Sequence, residues 1–181
     1  MQDVDLRAYT SCAFADGLEI VEEDSLAPGV TARTVDTIDG PKQISMLAGI
    51  RVMFAYPNTD FFANVKAEKL PALGYPEIKQ SLIGNFNYVL NSSPTDKQNH
   101  SMSPALKALD GRGLDRNKLE GGVIGMYLFF DDARHIATTV YLLNQDPSRR
   151  KFQTLDEYRT LRDRFLSTYT SCMASNLRAA N

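Results

Sequence analysis

Histidine is scarce in this chain, which limits the chemistry that the sequence offers. Only His100 and His135 occur, and acid–base and metal chemistry near neutral pH depend heavily on histidine. The best metal-binding candidate is the group of Asp131, Asp132 and His135, two carboxylates and an imidazole close together in sequence. The same residues suit a tight turn, because short polar side chains hydrogen-bond to their own backbone. The turn interpretation is preferred, and no metal or cofactor is predicted.

No familiar motif supplies a nucleophile or holds a nucleotide. The chain has no G-x-S-x-G elbow and no GxxxxGK[ST] loop, and the single GxG at 111–113 is interpreted as a turn. Cys172 lies late on a predicted helix, where the helix dipole disfavours a thiolate. The sequence therefore predicts a protein that is not an enzyme. One alternative stays open, which is carboxylate-based chemistry near Asp131 and Asp132.

Cys12 and Cys172 are the only cysteines, and each lies near one end of the chain. They lack the paired spacing of zinc ligands or of a redox CxxC motif, which leaves a disulfide or two buried free thiols. The disulfide is favoured, because chain ends often lie close together and closing a long loop stabilises the fold. Such a bond suits an oxidising compartment, so a periplasmic or secreted location is predicted, with a cytoplasmic one as the alternative.

The composition is that of an ordinary globular protein, with 43% hydrophobic and 23% charged residues. A net charge of −2 provides no basic surplus to neutralise phosphates, so nucleic-acid binding is not predicted. The longest apolar run, at 122–130, is less than half of the ~20 residues that span a bilayer, so no membrane span is predicted. A chain of 181 residues is enough for one core, and residues 1–181 are assigned to a single domain.

Hydrophobic periodicity predicts the elements that position these residues. Apolar residues at every second position from Ile44 to Phe54 indicate one strand, and a similar alternation at 61–68 indicates its antiparallel partner. Thr154 and Glu157 form a capping box that begins a long helix. The predicted elements are a helix at 3–16, strands at 31–38, 44–54 and 61–68, a helix beginning at Pro76, strands at 123–130 and 136–144, and a helix from 154 to about 176.

The order α-β-β-β-α-loop-β-β-α predicts an α+β domain, in which one antiparallel sheet of about five strands is flanked by helices. This element order resembles two known folds. The first is the PsbP-like α/β/α sandwich of non-catalytic bacterial and plastid accessory proteins, and the second is the type III secretion chaperone fold. Both resemblances imply a binding or adaptor role. The chaperone alternative also implies a cytosolic dimer with reduced cysteines.

The polar segment at about 92–122 is predicted to be a long mobile loop, because structureless segments of that length usually carry function or are disordered. A basic run follows at 149–151, in a predicted solvated linker. The predicted function is a non-enzymatic binding or accessory protein of the bacterial cell envelope, of adaptor or toxin-immunity type, which acts through contact with a protein partner. The candidate partner-binding residues are His100, Arg112, Arg116, Arg149 and Arg150.

Overall fold

The computed structural model describes residues 5–12, 14, 16–26, 28–89, 97–99, 109–119, 122–143 and 152–180. In this part of the chain a short 3-10 turn, Leu6–Tyr9, precedes nine strands and two α-helices. The strands are β1 (Glu19–Leu26), β2 (Thr31–Thr37), β3 (Gly40–Met46), β4 (Ala48–Ala55), β5 (Phe62–Lys69), β6 (Lys97–Asn99), β7 (Asp110–Arg116), β8 (Val123–Asp131) and β9 (Ile136–Leu143). The helices are α1 (Tyr75–Val89) and α2 (Leu155–Ala179).

Seven of the strands form one antiparallel sheet in the order β1-β4-β5-β9-β8-β7-β6. The other two, β2 and β3, pair with each other as a separate antiparallel ribbon. The predicted α+β class is confirmed, as are both predicted hairpins, β4–β5 and β8–β9. The predicted number of about five strands in one sheet is wrong, because the sheet has seven and the ribbon lies outside it.

The helix predicted at 3–16 is wrong. Among the described residues of that range only the 3-10 turn forms, and of its residues Tyr9 alone is buried, so the apolar stripe is too thin to hold a longer helix against the sheet. Strand β1, which follows, was not predicted. All eight of its residues are exposed, because β1 is an edge strand and its sequence EIVEEDSL lacks the alternation that marks a half-buried strand.

The long alternating segment from Ile44 to Phe54 is two strands in two different sheets. The chain leaves the ribbon at Leu47, whose N–H donates to the carbonyl of Lys69 at 2.8 Å and whose carbonyl accepts from Gly29 at 2.9 Å. Ile44 belongs to the core beneath the ribbon, whereas Phe54 belongs to the core beneath α2. Alternation predicts that the backbone is extended, but it does not show where an extended chain changes sheets.

The segment predicted as a loop at 92–122 contains two strands, so that prediction is wrong for the described residues within it. Strand β7 pairs antiparallel with β8, and β6 pairs with β7 at the edge of the sheet. The sequence of β7, DGRGLDR, hides the strand because Gly111 and Gly113 occupy positions where an apolar side chain would have shown the alternation. Residues 92–96, 100–108, 120 and 121 lie outside the described part of the chain.

Helices cover both faces of the sheet. Helix α2 packs on one face through an aromatic core, in which the rings of Phe54 and Phe165 lie 5.9 Å apart and those of Phe165 and Tyr169 are stacked at 5.4 Å. Helix α1 and the ribbon pack on the other face, mainly above β8, where Leu82 and Phe86 are buried. Each helix therefore turns an apolar side toward the sheet.

A buried polar cluster joins α2 to the sheet. Asp115 of β7 is only 1% exposed, and it accepts hydrogen bonds from the hydroxyls of Tyr127 at 3.3 Å and Tyr158 at 3.1 Å. Its other carboxylate oxygen forms an ion pair with Arg162, which is 6% exposed and also pairs with the exposed Asp163 at 2.8 Å. Burial, together with the nearby Asp115 charge, raises the pKa of both tyrosines, so they stay protonated and donate to the carboxylate.

The ends of α2 are fixed by polar contacts. Thr154 caps the start, because its hydroxyl accepts from the backbone N–H of Glu157 at 3.1 Å, which confirms the predicted cap. Near the other end, the side-chain amide of Asn176 donates to the backbone carbonyls of Ala8 at 3.2 Å and Ser11 at 2.9 Å. The N-terminal segment is thereby attached to the last turns of α2, beside Cys172.

Candidate functional site

The turn between β8 and β9 holds the group predicted as the best metal candidate, and it is a tight turn. Asp131 accepts from the Tyr9 hydroxyl at 2.8 Å and pairs with Arg134 at 2.9 Å. Asp132 accepts instead from the Tyr75 hydroxyl at 2.6 Å and pairs with Lys79, and Tyr75 belongs to the opposite core. The two carboxylates are therefore held by separate partners. Among the described residues, no three histidine, cysteine or acidic side chains are placed to hold a metal ion.

Of the predicted partner-binding residues, the structure describes Arg112 and Arg116, and each contacts groups of its own. Arg112 pairs with Asp110 at 2.9 Å on β7, and Arg116 donates to the carbonyl of Val89 at the end of α1. The guanidinium Nε of each is buried without a hydrogen-bond partner in the described part of the chain. His100, Arg149 and Arg150 lie outside the described residues.

Cys12 and Cys172 form a disulfide with their Cα atoms 6.0 Å apart. The predicted pairing is therefore present, although Cys12 lies in an irregular segment after the 3-10 turn rather than in a helix. Neither sulfur titrates while the bond is intact, so the pair offers no nucleophile in this state. Its role in the structure is to join the two ends of the chain.

A cleft opens where the ribbon leaves the face of the sheet near strands β1, β4 and β5. Its volume is about 390 Å³, within the usual range for small ligand sites. Leu26 and Met46 provide apolar walls, and the floor is formed by the face of β4 and β5 that points away from α2. The lining residues are Asp24, Leu26, Arg33, Met46, Gly49, Ile50, Arg51, Lys66 and Glu68.

Ion pairs hold the two sides of this cleft, which we name the ribbon cleft. Arg33 of the ribbon forms a bidentate pair with Glu68 of the sheet, at 3.0 and 2.6 Å, and Glu68 is only 1% exposed. On the side of the edge strand, Arg51 pairs with Glu22 at 2.9 Å and with Asp24. These contacts bind the ribbon and β1 to the sheet while leaving the floor between them open.

Lys66 stands on the floor of the ribbon cleft without an opposite charge of its own. Its side chain is partly buried, and in the described part of the chain its ammonium group makes no hydrogen bond or ion pair. Arg51 lies directly opposite it on β4, and like charges in that position repel each other. Burial is the main cause that lowers the pKa of Lys66; Arg33 and Arg51 lower it further, and the negative charge of Glu68 opposes them.

Lys66 is the one cation of the cleft lining that forms no ion pair in the described part of the chain. Arg33 pairs with Glu68, and Arg51 pairs with Asp24 and with Glu22, which lies just outside the lining. Beside the cleft, on the same strand face as Lys66, the side-chain oxygen of Asn64 is buried without a hydrogen-bond partner. An uncompensated cation in a concave, mainly apolar site is typical of a place that accepts an anionic group.

Sequence reasoning missed this site although it identified the strands that build it. Lys66 and Glu68 alternate with buried apolar residues on β5, and in an isolated hairpin such residues would face solvent. The ribbon covers part of that face, and the covering element could not be placed from periodicity. The alignment of Arg51 with Lys66 was a signal within the predicted hairpin, but it required the strand register.

Replacing Lys66 with methionine is expected to stabilise the protein by about 1 kcal/mol at pH 7, because it removes a partly desolvated ammonium group that makes no ion pair, together with its repulsion from Arg51. The pKa of Lys66 is lower in the folded chain than its ordinary value near 10.5, so the unfolded chain binds more protons between those two values. Wild-type stability therefore rises through that window, and the advantage of the variant shrinks as the pH approaches 10.5.

Urea unfolding at several pH values measures this difference. The matched control is Lys42→Met, on the exposed side of the ribbon, which is expected to change stability by less than about 0.5 kcal/mol. A Lys66→Met protein that is less stable than wild type at pH 7 would show that the amine has a partner in solution and would contradict the prediction.

Neither α1 nor α2 has the length and apolar character needed to cross a bilayer, and these are the α-helices of the described chain. Comparison of the sequence with protein-family models and with curated proteins, and of the fold with solved structures, finds no match. Arguments about function therefore rest on the geometry of the ribbon cleft.

Proposed function

We propose that this chain is a non-enzymatic binding protein that engages a protein partner at the ribbon cleft. The observation that carries the proposal is the ammonium group of Lys66 on the cleft floor, which lies opposite Arg51 and forms no ion pair in the described part of the chain. An ammonium group held in this way destabilises the folded protein, and an anionic group that binds to it offsets this loss of stability. An ion pair between Lys66 and an anionic group of a partner would therefore contribute to the free energy of binding at the cleft.

The surroundings of the cleft favour a macromolecular partner. Leu26 lines the cleft and is 47% exposed, and Val30, just beyond it in the chain, is 75% exposed. The edge strand β1 adds the exposed side chains of Ile20 and Val21. Exposed apolar groups around a charged cleft suit a contact that extends past the cleft itself.

The disulfide and the layered fold support the rest of the proposal. A bond between Cys12 and Cys172 suits the oxidising environment of a periplasmic or secreted protein of the cell envelope. Helix α2 on one face of the sheet and α1 with the ribbon on the other support the PsbP-like sandwich of accessory proteins. We propose that the protein acts as an adaptor or as a toxin-neutralising protein.

Affinity capture from an extract of the source organism tests the proposal. The bait proteins are the wild type, Lys66→Glu and Lys42→Glu. The first substitution places a carboxylate opposite Arg51 and so fills the site from within, whereas the second reverses an exposed charge away from the cleft. We expect a partner that both the wild type and Lys42→Glu retain and Lys66→Glu loses. Retention of every captured protein by Lys66→Glu would refute a function at the ribbon cleft.

A further inference from the structure

We propose that the group entering the ribbon cleft is the C-terminal carboxylate of the partner chain, carried on an apolar last residue. This inference rests on the proposed binding function and adds the chemistry that the cleft recognises. Three features of the described residues support it, which are the charge of the floor, the character of the walls and the position of the neighbouring edge strand.

The charge of the floor selects an anion. Lys66 and Arg51 stand directly opposite each other on β5 and β4, so the positive charge of Arg51 adds to the attraction of Lys66 for an anion. Arg51 already binds Glu22 and Asp24, whereas Lys66 has no such partner in the described chain, so Lys66 makes the main contact. Ammonium–carboxylate contacts of this kind are among the stronger hydrogen bonds in proteins.

The apolar walls and the volume of the cleft determine what kind of residue can carry the carboxylate into it. Leu26 and Met46 present hydrocarbon to the cleft, and the aliphatic stem of Lys66 extends that surface. A volume of about 390 Å³ lies at the small end of ligand sites. It therefore suits one or two residues at the end of a chain.

The edge strand gives the rest of the partner a path to the cleft. Strand β1 ends the sheet in the described chain, so the backbone on its outer side is open to an added strand. The same strand supplies Asp24 and Leu26 to the cleft wall. Lys66 lies two strands inward from β1, so the last residues of a segment held at this edge would cross the face of β1 and β4 to bring the terminal carboxylate to Lys66.

Calorimetric titration at pH 7 with short peptides tests this inference. The probes are acetylated tetrapeptides that end in Leu, Ile, Val, Phe or Met, each prepared as the free acid and as the C-terminal amide. We expect at least one free acid to bind, and we expect its amide to bind about 10- to 100-fold more weakly, since one charged hydrogen bond is lost. Lys66→Met is expected to show the same loss, whereas Lys42→Met binds like the wild type.

Equal affinity for acid and amide, or unchanged affinity in Lys66→Met, overturns the inference, as does the absence of binding by every free acid. Octanoate serves as a second probe, because it carries the same carboxylate without a peptide. If octanoate binds as tightly as the best peptide, the assignment to a chain end is overturned. Unfolding curves of Lys66→Met verify that the variant is folded. If the peptides fail while capture still depends on Lys66, the binding function stands and only the carboxylate inference falls.

Discussion

Replacing Asp115 with alanine is expected to lower the free energy of unfolding by about 3–5 kcal/mol, which is the usual effect of removing one member of a buried ion pair. Asp115 is 1% exposed and joins β7 to α2 through Arg162 and the hydroxyls of Tyr127 and Tyr158. Without its carboxylate, a guanidinium and two hydroxyls stay in the core with fewer acceptors. The measurement is urea unfolding followed by circular dichroism.

Asp163 provides a matched control, because it binds the same guanidinium from the exposed side of α2. Its side chain is 59% exposed, whereas that of Asp115 is 1% exposed. Asp163→Ala is therefore expected to cost less than about 1 kcal/mol, as surface ion pairs usually do. If the two alanine variants lose similar amounts, burial does not govern the strength of this cluster, and the expected result is wrong.

Removing the disulfide is expected to lower the free energy of unfolding by about 2–5 kcal/mol. The bond joins Cys12 to Cys172 across a sequence separation of 160, so the unfolded chain gains much conformational freedom when it is broken. The variant is the double substitution Cys12→Ser and Cys172→Ser, and the measurement is its urea midpoint against that of the oxidised wild type.

Reductant supplies the control for the cysteine variant. Reduced wild-type protein is expected to unfold at the same urea concentration as the double serine variant. The urea midpoint of the variant itself is expected not to change when reductant is added. A wild-type midpoint that does not move on reduction would mean that the bond is absent from the protein in solution. It would also remove the main support for an oxidising compartment.

Elements with a regular apolar pattern were predictable from the sequence, and those without one were not. Helices α1 and α2 each bury a continuous stripe, and the hairpins β4–β5 and β8–β9 alternate or are apolar throughout, so periodicity identified them. Strand β1 is exposed along its whole length, and β7 carries two glycines, so neither shows a period of two. Both segments are extended because they hydrogen-bond to a neighbouring strand, and the local sequence does not show which segments pair.

The candidate site was less predictable than the fold, because it depends on which element covers the face of the sheet formed by β4 and β5. Lys66 and Glu68 would face solvent in an isolated hairpin, because they alternate with the buried residues of β5. Glu68 is buried only because Arg33 arrives from the ribbon, which is distant in sequence. The disulfide was predictable because it needs only two cysteines and two ends that meet. The cleft, in contrast, can be predicted only when the relative positions of β1, the ribbon and the β4–β5 hairpin are all known.

The bond between Cys12 and Cys172 also determines how the protein responds to mechanical force. Tension applied to the two ends of the chain passes from Cys12 directly to Cys172 and does not load the segment between them. The sheet and the ribbon cleft lie entirely within that segment. While the bond is intact, a protein held between two attachments at its ends transmits a pull without opening the cleft.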